Sequence, residues 1–228
     1  MPFFTISNCM ILSHSKKFIF QRTKKTAGTS IEVYFQPWCT TPEHDEPSDK
    51  YREAVTDQGI VGSRSAPYDK FYDHMPWWEL YNHLGDDVWQ SYFKFCSIRN
   101  PWDKAVSRFF WETKRVDYTD MPFKEVKRLF DLFVRRHIRI LWDDKDMYVN
   151  RGKPILDYYV RYEHLHSDLE EVCNRIDIPW EPQRLGTFKG GTRQRKEPYQ
   201  DYYSDDGFVK GLVEKHSRLE IEHFGYTF

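Results

Sequence analysis

Two short stretches collect the residue types that hold anions. In "KFIFQRTKKTAGTSIEVYF" an apolar run, Phe18-Ile19-Phe20, meets a basic cluster, Arg22, Lys24 and Lys25. The small-residue turn Thr26-Ala27-Gly28-Thr29-Ser30 follows, and then a helix-like pattern. A helix N-terminus offers unpaired backbone N–H groups at the positive end of the helix dipole. Gly28 would admit a ligand close to the backbone, Thr29 and Ser30 add hydroxyls, and Lys25 adds a mobile charge. Such a set suits a doubly or triply charged group. The spacing GxxxxGK[ST] of the ordinary ATP or GTP loop is absent, so that class is not supported. The plainer alternative is a helix capped by Thr29, with the lysines solvated on its rim. The second stretch is "FKFCSIRNPWDKAVSRFFW". Arg99 closes a strand-like run, and Asn100-Pro101 is a natural N-cap and first helical residue. Ser107 falls with Lys104, Arg108 and Trp111, off the apolar stripe of Trp102, Ala105, Val106, Phe109 and Phe110. A guanidinium fork and a hydroxyl could grip a second phosphate. The alternative is an arginine paired with a carboxylate beside a tolerated serine. Two such junctions in one chain weigh more than either alone.

The elements around these turns predict an α/β protein. Strand-like runs cover Lys17–Thr23, Tyr92–Arg99 and "PILDYYVRY", Pro154–Tyr162. Helical patterns follow in "MPWWELYNHLG", from Asn100 onward, in "MPFKEVKRLFDLFVRRHIRILW", in "EHLHSDLEEVCNRIDI" and over Asp205–His223. Strands alternating with helices imply a central parallel sheet with helices on both faces, and ligands beyond the carboxyl ends of the strands. A chain of 228 residues with 39% hydrophobic and 18% aromatic residues suits one domain, 1–228. A polar stretch at 37–71, broken by Pro42, Pro47, Gly59, Gly62 and Pro67, reads as a surface insertion. A net charge of −1 gives no global field for nucleic acid. The four cysteines form no CxxC pair and read as free thiols. His164 and His166 lie two apart on a helix and make a poor metal pair. The N-terminal apolar patch "MPFFTISNCMILSHSKKF" is too broken for a signal segment, and no window reaches the roughly 18 apolar residues of a membrane span. A soluble, cytoplasmic protein without an anchor is expected.

The same stretches resemble a family. "KKTAGTS" looks like the 5′-phosphosulfate loop of sulfotransferases, usually PKTxGTS. "FKFCSIRNPWDKAVSRFFW" is similar to their 3′-phosphate motif, often KFxxVRNPxxRxxSxY. "VRYEHLHSDLEEV" resembles the segment RYExLxxDLE, and "YQDYYSDDGFVKGLVEKHSRLEIEHFGYTF" resembles the tail YxxYYxxxxxxxVxxxxxxDxxxFGYxF. The likeness spans most of residues 17–228 and is nearest to the carbohydrate enzymes of the heparan 2-O and chondroitin type, which usually carry a membrane anchor. Lys24 stands where the family has proline, Lys104 for a common arginine and Ile98 for a common valine. None of these removes an expected phosphate ligand.

The resemblance implies a P-loop-like domain and the co-substrate 3′-phosphoadenosine 5′-phosphosulfate (PAPS). A sulfuryl group would pass to a hydroxyl or amine of a carbohydrate or small-molecule acceptor, leaving adenosine 3′,5′-bisphosphate (PAP), with no metal. Catalysis of this kind is mainly positioning and charge stabilisation. Lys25 matches the family's loop lysine and is the candidate for the leaving phosphate oxygen, with Lys24 as the competing assignment. His74, in "FYDHMPWWEL", is the candidate base, with His83 and Glu79 as alternatives. Residues 24–30 would hold the 5′ side, and Arg99 and Ser107 the 3′-phosphate. "FKGGTRQRKEPY" resembles the segment closing over the nucleotide, with Lys189, Gly190, Thr192, Arg193 and Lys196 as candidate contacts. Trp38, Tyr72, Trp77, Trp78 and Trp111 could stack on an acceptor or fill the core. The competing functions are a small-molecule kinase with a degenerate phosphate loop, and a non-catalytic PAPS- or PAP-binding module.

Overall fold

The computed structural model describes residues 10–40, 53–63, 69–72, 74–142, 144–188, 191–204 and 206–228. In chain order the elements are β1 (Ile11–Ser13), β2 (Phe18–Gln21), α1 (Gly28–Phe35), β3 (Ala54–Val55), β4 (Gly59–Val61), α2 (Trp77–Leu84), α3 (Asp86–Ser91) and β5 (Phe93–Ile98). Then follow α4 (Pro101–Glu112), α5 (Phe123–His137), β6 (Val149–Asn150), β7 (Lys153–Pro154), β8 (Tyr158–Arg161), α6 (Leu165–Arg175), α7 (Phe208–His216) and α8 (Arg218–Phe224). The described residues fall into two compact units, those of Met1–Ile98 with Asp144–Phe188, and those of Arg99–Asp143 with Lys189–Phe228.

The first unit is built on a six-stranded sheet of order β3-β4-β1-β2-β5-β8. The three strands expected from sequence, β2, β5 and β8, run parallel, with Phe18 opposite Phe93 and Phe95 opposite Tyr158. The sheet as a whole is mixed rather than parallel, because β1, β4 and β3 add to it antiparallel. A four-residue turn joins β1 to β2, with Lys17 at φ 49°; so short a link permits only an antiparallel pair. The apolar patch at 10–12 is thus a buried strand. The segment read as a surface insertion also contributes β3 and β4, whose Ile60 and Val61 are buried; residues 41–52 and 64–68 of it lie outside the described residues.

Side chains alternate across the strands. Phe18, Phe20, Phe93 and Phe95 therefore share one face. Against it pack Ile31, Tyr34 and Phe35 of α1 and Leu169, Val172 and Cys173 of α6, each set at i, i+3, i+4 spacing. On the opposite face Lys94 donates to the Trp89 carbonyl at the end of α3, 3.0 Å.

The second unit is an aromatic-rich helical core. The stripe of α4 read from sequence packs on Val126, Phe130, Phe133 and Val134 of α5, Val209 and Val213 of α7, and Tyr118, Tyr202 and Tyr203. Asn100 caps α4 as expected, its side-chain oxygen accepting from the N–H groups of Trp102 and Asp103 at 3.0 and 3.3 Å. The same amide donates to the Thr227 carbonyl, 2.9 Å. Phe228 lies edge-on to Trp102, Tyr199 and Tyr203. The helix expected over 205–223 is two helices, α7 and α8, which meet at the buried Ser217.

Candidate functional site

The turn between β2 and α1 departs from ordinary loop geometry. φ is positive at Lys25 (62°) and Ala27 (64°) and not at Lys24, Thr26 or Gly28. A left-handed conformation at two non-glycine residues costs on the order of 1–3 kcal/mol each and persists only where surrounding contacts impose it. Alternation of this kind points successive backbone N–H groups into one concavity, the arrangement of anion-binding nests. The first helical bond runs from Ile31 N–H to the Ala27 carbonyl, 3.2 Å. Among the described residues no hydrogen bond is recorded from the N–H groups of Thr26, Ala27, Gly28, Thr29 or Ser30. Four of these five residues, all but Ala27, are buried.

The contacts that impose this shape are now visible, and they change several expected roles. Arg22 belongs to the packing rather than to the anion-binding cations. Its buried guanidinium bonds Glu32, itself 0% exposed, and the Thr29 hydroxyl oxygen. Gly28 is required by this side chain: a Cβ there would lie 2.6 Å from Arg22 Cγ and 2.8 Å from its Nε. The space where a Gly28 Cβ would stand is filled by Arg22. Thr29 is not the cap of α1, since Ala27 holds that position with no side-chain bond. Thr29 accepts from Arg22, and Ser30 accepts from the Phe188 N–H at 3.4 Å; an accepting hydroxyl keeps its proton to donate. Thr26 turns inward, bonding Thr23 Oγ1 at 2.8 Å and Ser97 Oγ at 2.7 Å, while Thr23 donates to the Ser97 carbonyl. The turn is thereby fastened to the end of β5. Lys24 and Lys25 are both partly exposed. The Lys24 N–H donates to the buried carboxylate of Asp144 at 2.8 Å.

His74 is brought to this turn. Its Nδ1 lies 3.1 Å from the Arg22 carbonyl. A carbonyl can only accept, so Nδ1 carries the proton and Nε2 the basic lone pair. Burial pushes the ring well below the usual histidine range, and the charges of Lys24 and Arg22 push the same way, against the opposing influence of Asp144. The ring is therefore neutral at pH 7, as a base must be. The two alternatives are engaged with each other: His83 lies 4.0 Å from Glu79, which also accepts from the Tyr72 hydroxyl at 2.7 Å.

In the second unit, Arg99 pairs with Asp103 one helical turn on, Nε to Oδ2 at 2.8 Å and NH2 to Oδ2 at 2.6 Å. Arg193 donates to the other oxygen of Asp103 at 3.0 Å and to the Glu197 carbonyl. Two guanidiniums thus share one carboxylate. Ser107, one further turn along α4, is partly exposed and makes no recorded hydrogen bond among the described residues. The neighbouring loop is anchored by Gln194 and Arg195. Gln194 bonds Tyr118 N–H and the Val116 carbonyl at 2.6 and 2.9 Å, and Arg195 bonds three carbonyls between Tyr118 and Met121. Thr192 is partly buried and Lys196 exposed; Lys189 and Gly190 lie outside the described residues. Of the candidate stacking residues, Trp77 packs on Trp89, Trp38 on Tyr34 and Phe35, and Trp111 under Lys114; Trp78 is 49% exposed.

Asp103, Glu32 and Asp144 were not singled out from sequence. Asp103 had a readable signal, its i, i+4 spacing from Arg99. The other two had none. Among the described residues no group of acidic, cysteine or histidine side chains could hold a metal ion, and no helix is long and apolar enough to cross a membrane. No protein-family model matches the chain, and no solved structure matches it. An uncharacterized protein of Archaeoglobus fulgidus is 28% identical over 114 residues, covering 47% of this chain and 86% of its own length.

Proposed function

We propose that the protein is a PAPS-dependent sulfotransferase with a P-loop-like donor site at the β2–α1 turn. The observation that carries this reading is the alternating backbone from Lys25 to Gly28 at the end of a parallel strand, with the N–H groups of Thr26 to Ser30 making no hydrogen bond among the described residues. An acidic ester group is what such a concavity accepts. The turn would hold the 5′ phosphosulfate and Lys25 would meet the charge growing on the leaving phosphate oxygen. Arg99 and Ser107 would hold the 3′-phosphate, with Arg193 sharing their charge. His74 would take the acceptor's proton at Nε2 as the acceptor oxygen or nitrogen bonds sulfur and the sulfur–phosphate oxygen bond breaks. The acceptor is a carbohydrate or small molecule. Transfer of labelled sulfate from PAPS to a panel of glycans and small alcohols, lost in Lys25→Ala, is the expected result. Transfer undiminished in Lys25→Ala would remove the lysine from the mechanism. Phosphate transfer from ATP in its place would replace the reading with a kinase.

A further inference from the structure

We infer that Asp144 is a positioning residue of this site, pinning the Thr23–Lys24 peptide of the β2–α1 turn and balancing the charges that act on His74. The inference deepens the proposed function, since it rests on His74 as the base. Asp144 is 0% exposed, yet it reaches a backbone N–H 120 residues away in sequence, that of Lys24 at 2.8 Å. A buried carboxylate is costly unless donors or cations match it. Its placement therefore needs a compensating partner, and the start of the strained turn supplies one. With Lys24 N–H held, the left-handed conformation at Lys25 begins from a fixed peptide.

The same carboxylate acts on the histidine. The Arg22 carbonyl bonds the His74 ring, and the charges that act on it include the cations of Lys24 and Arg22 and the carboxylate of Asp144. Arg22 is already matched by Glu32. Lys24 is the cation that a loop with proline at this position would lack, and Asp144 is the carboxylate that offsets it. Without that carboxylate the ring would face more positive charge, and its Nε2 would be a weaker base.

The test follows the His74 ring by NMR across pH, its signal assigned by loss in His74→Asn. It compares wild type, Asp144→Asn, Asp144→Ser and Lys24→Met. Removing the carboxylate should move the His74 titration to lower pH, and removing the lysine should move it to higher pH. The acid limb of the sulfate-transfer profile should follow in the same directions. The two Asp144 variants guard against one that does not fold. A His74 titration that is unmoved, or moved upward, in the Asp144 variants overturns the inference. Loss of PAP binding by wild type would instead sink the donor reading, and the ring titration would still judge Asp144 by itself.

Discussion

Replacing Gly28 by alanine should unfold the corner of the protein that shapes the turn. The added Cβ would stand 2.6 Å from Arg22 Cγ and 2.8 Å from its Nε, inside any contact real side chains make. Arg22 has nowhere to swing, because one guanidinium nitrogen is held by Glu32 and another by Thr29. To admit the methyl group the arginine must leave, and the buried Glu32 then loses its paired guanidinium. Breaking a buried pair from one side costs about 3–5 kcal/mol. Alanine recovers about 1 kcal/mol of helix propensity at most. The net loss is about 2–4 kcal/mol, and a chain of this size loses about 2–4 °C of Tm per kcal/mol, so a fall of roughly 5–15 °C is expected. Thermal unfolding followed by circular dichroism measures it. A Gly28→Ala variant as stable as wild type would refute the role given to Arg22.

Other perturbations bear on the remaining contacts. Asn100→Ala should lower stability by about 1–2 kcal/mol in denaturant titration, since it removes both the cap of α4 and the tether to Thr227; Asn100→Ser should restore part of the loss. Asp103→Ala should weaken PAP binding in calorimetry, because Arg99 and Arg193 lose the carboxylate that aims both of them; tighter binding would mean that Asp103 only competes with the ligand. For His74 the folded state holds protons less tightly than the unfolded chain, so stability rises with pH. Its contribution is fully present above the unfolded value near 6.5 and is lost as pH falls below it. Unfolding free energy should therefore drop less between pH 7 and pH 5 in His74→Asn than in wild type, asparagine being tolerant of the left-handed backbone found there.

What could be read from the chain, and what could not, divides along a physical line. Strands β2, β5 and β8 were legible because each is apolar, bounded and followed by a helical pattern. The cap of α4 was legible because Asn-Pro carries its own stereochemistry. Strands β1, β3 and β4 were not, being only two or three residues long, and their identity comes from pairing rather than pattern. The turn at 22–30 was recognisable as unusual, but its inner logic was not. A run of basic residues gives no sign that Arg22 is buried against Glu32 while Lys24 and Lys25 stay partly exposed. Nor does anything in "WDDKDMY" single out Asp144 as the acceptor for Lys24 N–H. The tail "FGYTF" was legible only as a likeness; the contacts of Thr227 with Asn100 and of Phe228 with Trp102 give it a physical purpose, which is to hold the start of α4.

The most direct test of the donor site is calorimetric titration of the protein with PAP in EDTA, beside ATP with magnesium. The expected result is binding of the bisphosphate without metal, weakened in both Lys25→Ala and Arg99→Ala. At a hundredfold excess over its Kd that ligand should stabilise the fold by about 2.7 kcal/mol. Binding of ATP with magnesium, and none of the bisphosphate, would contradict it.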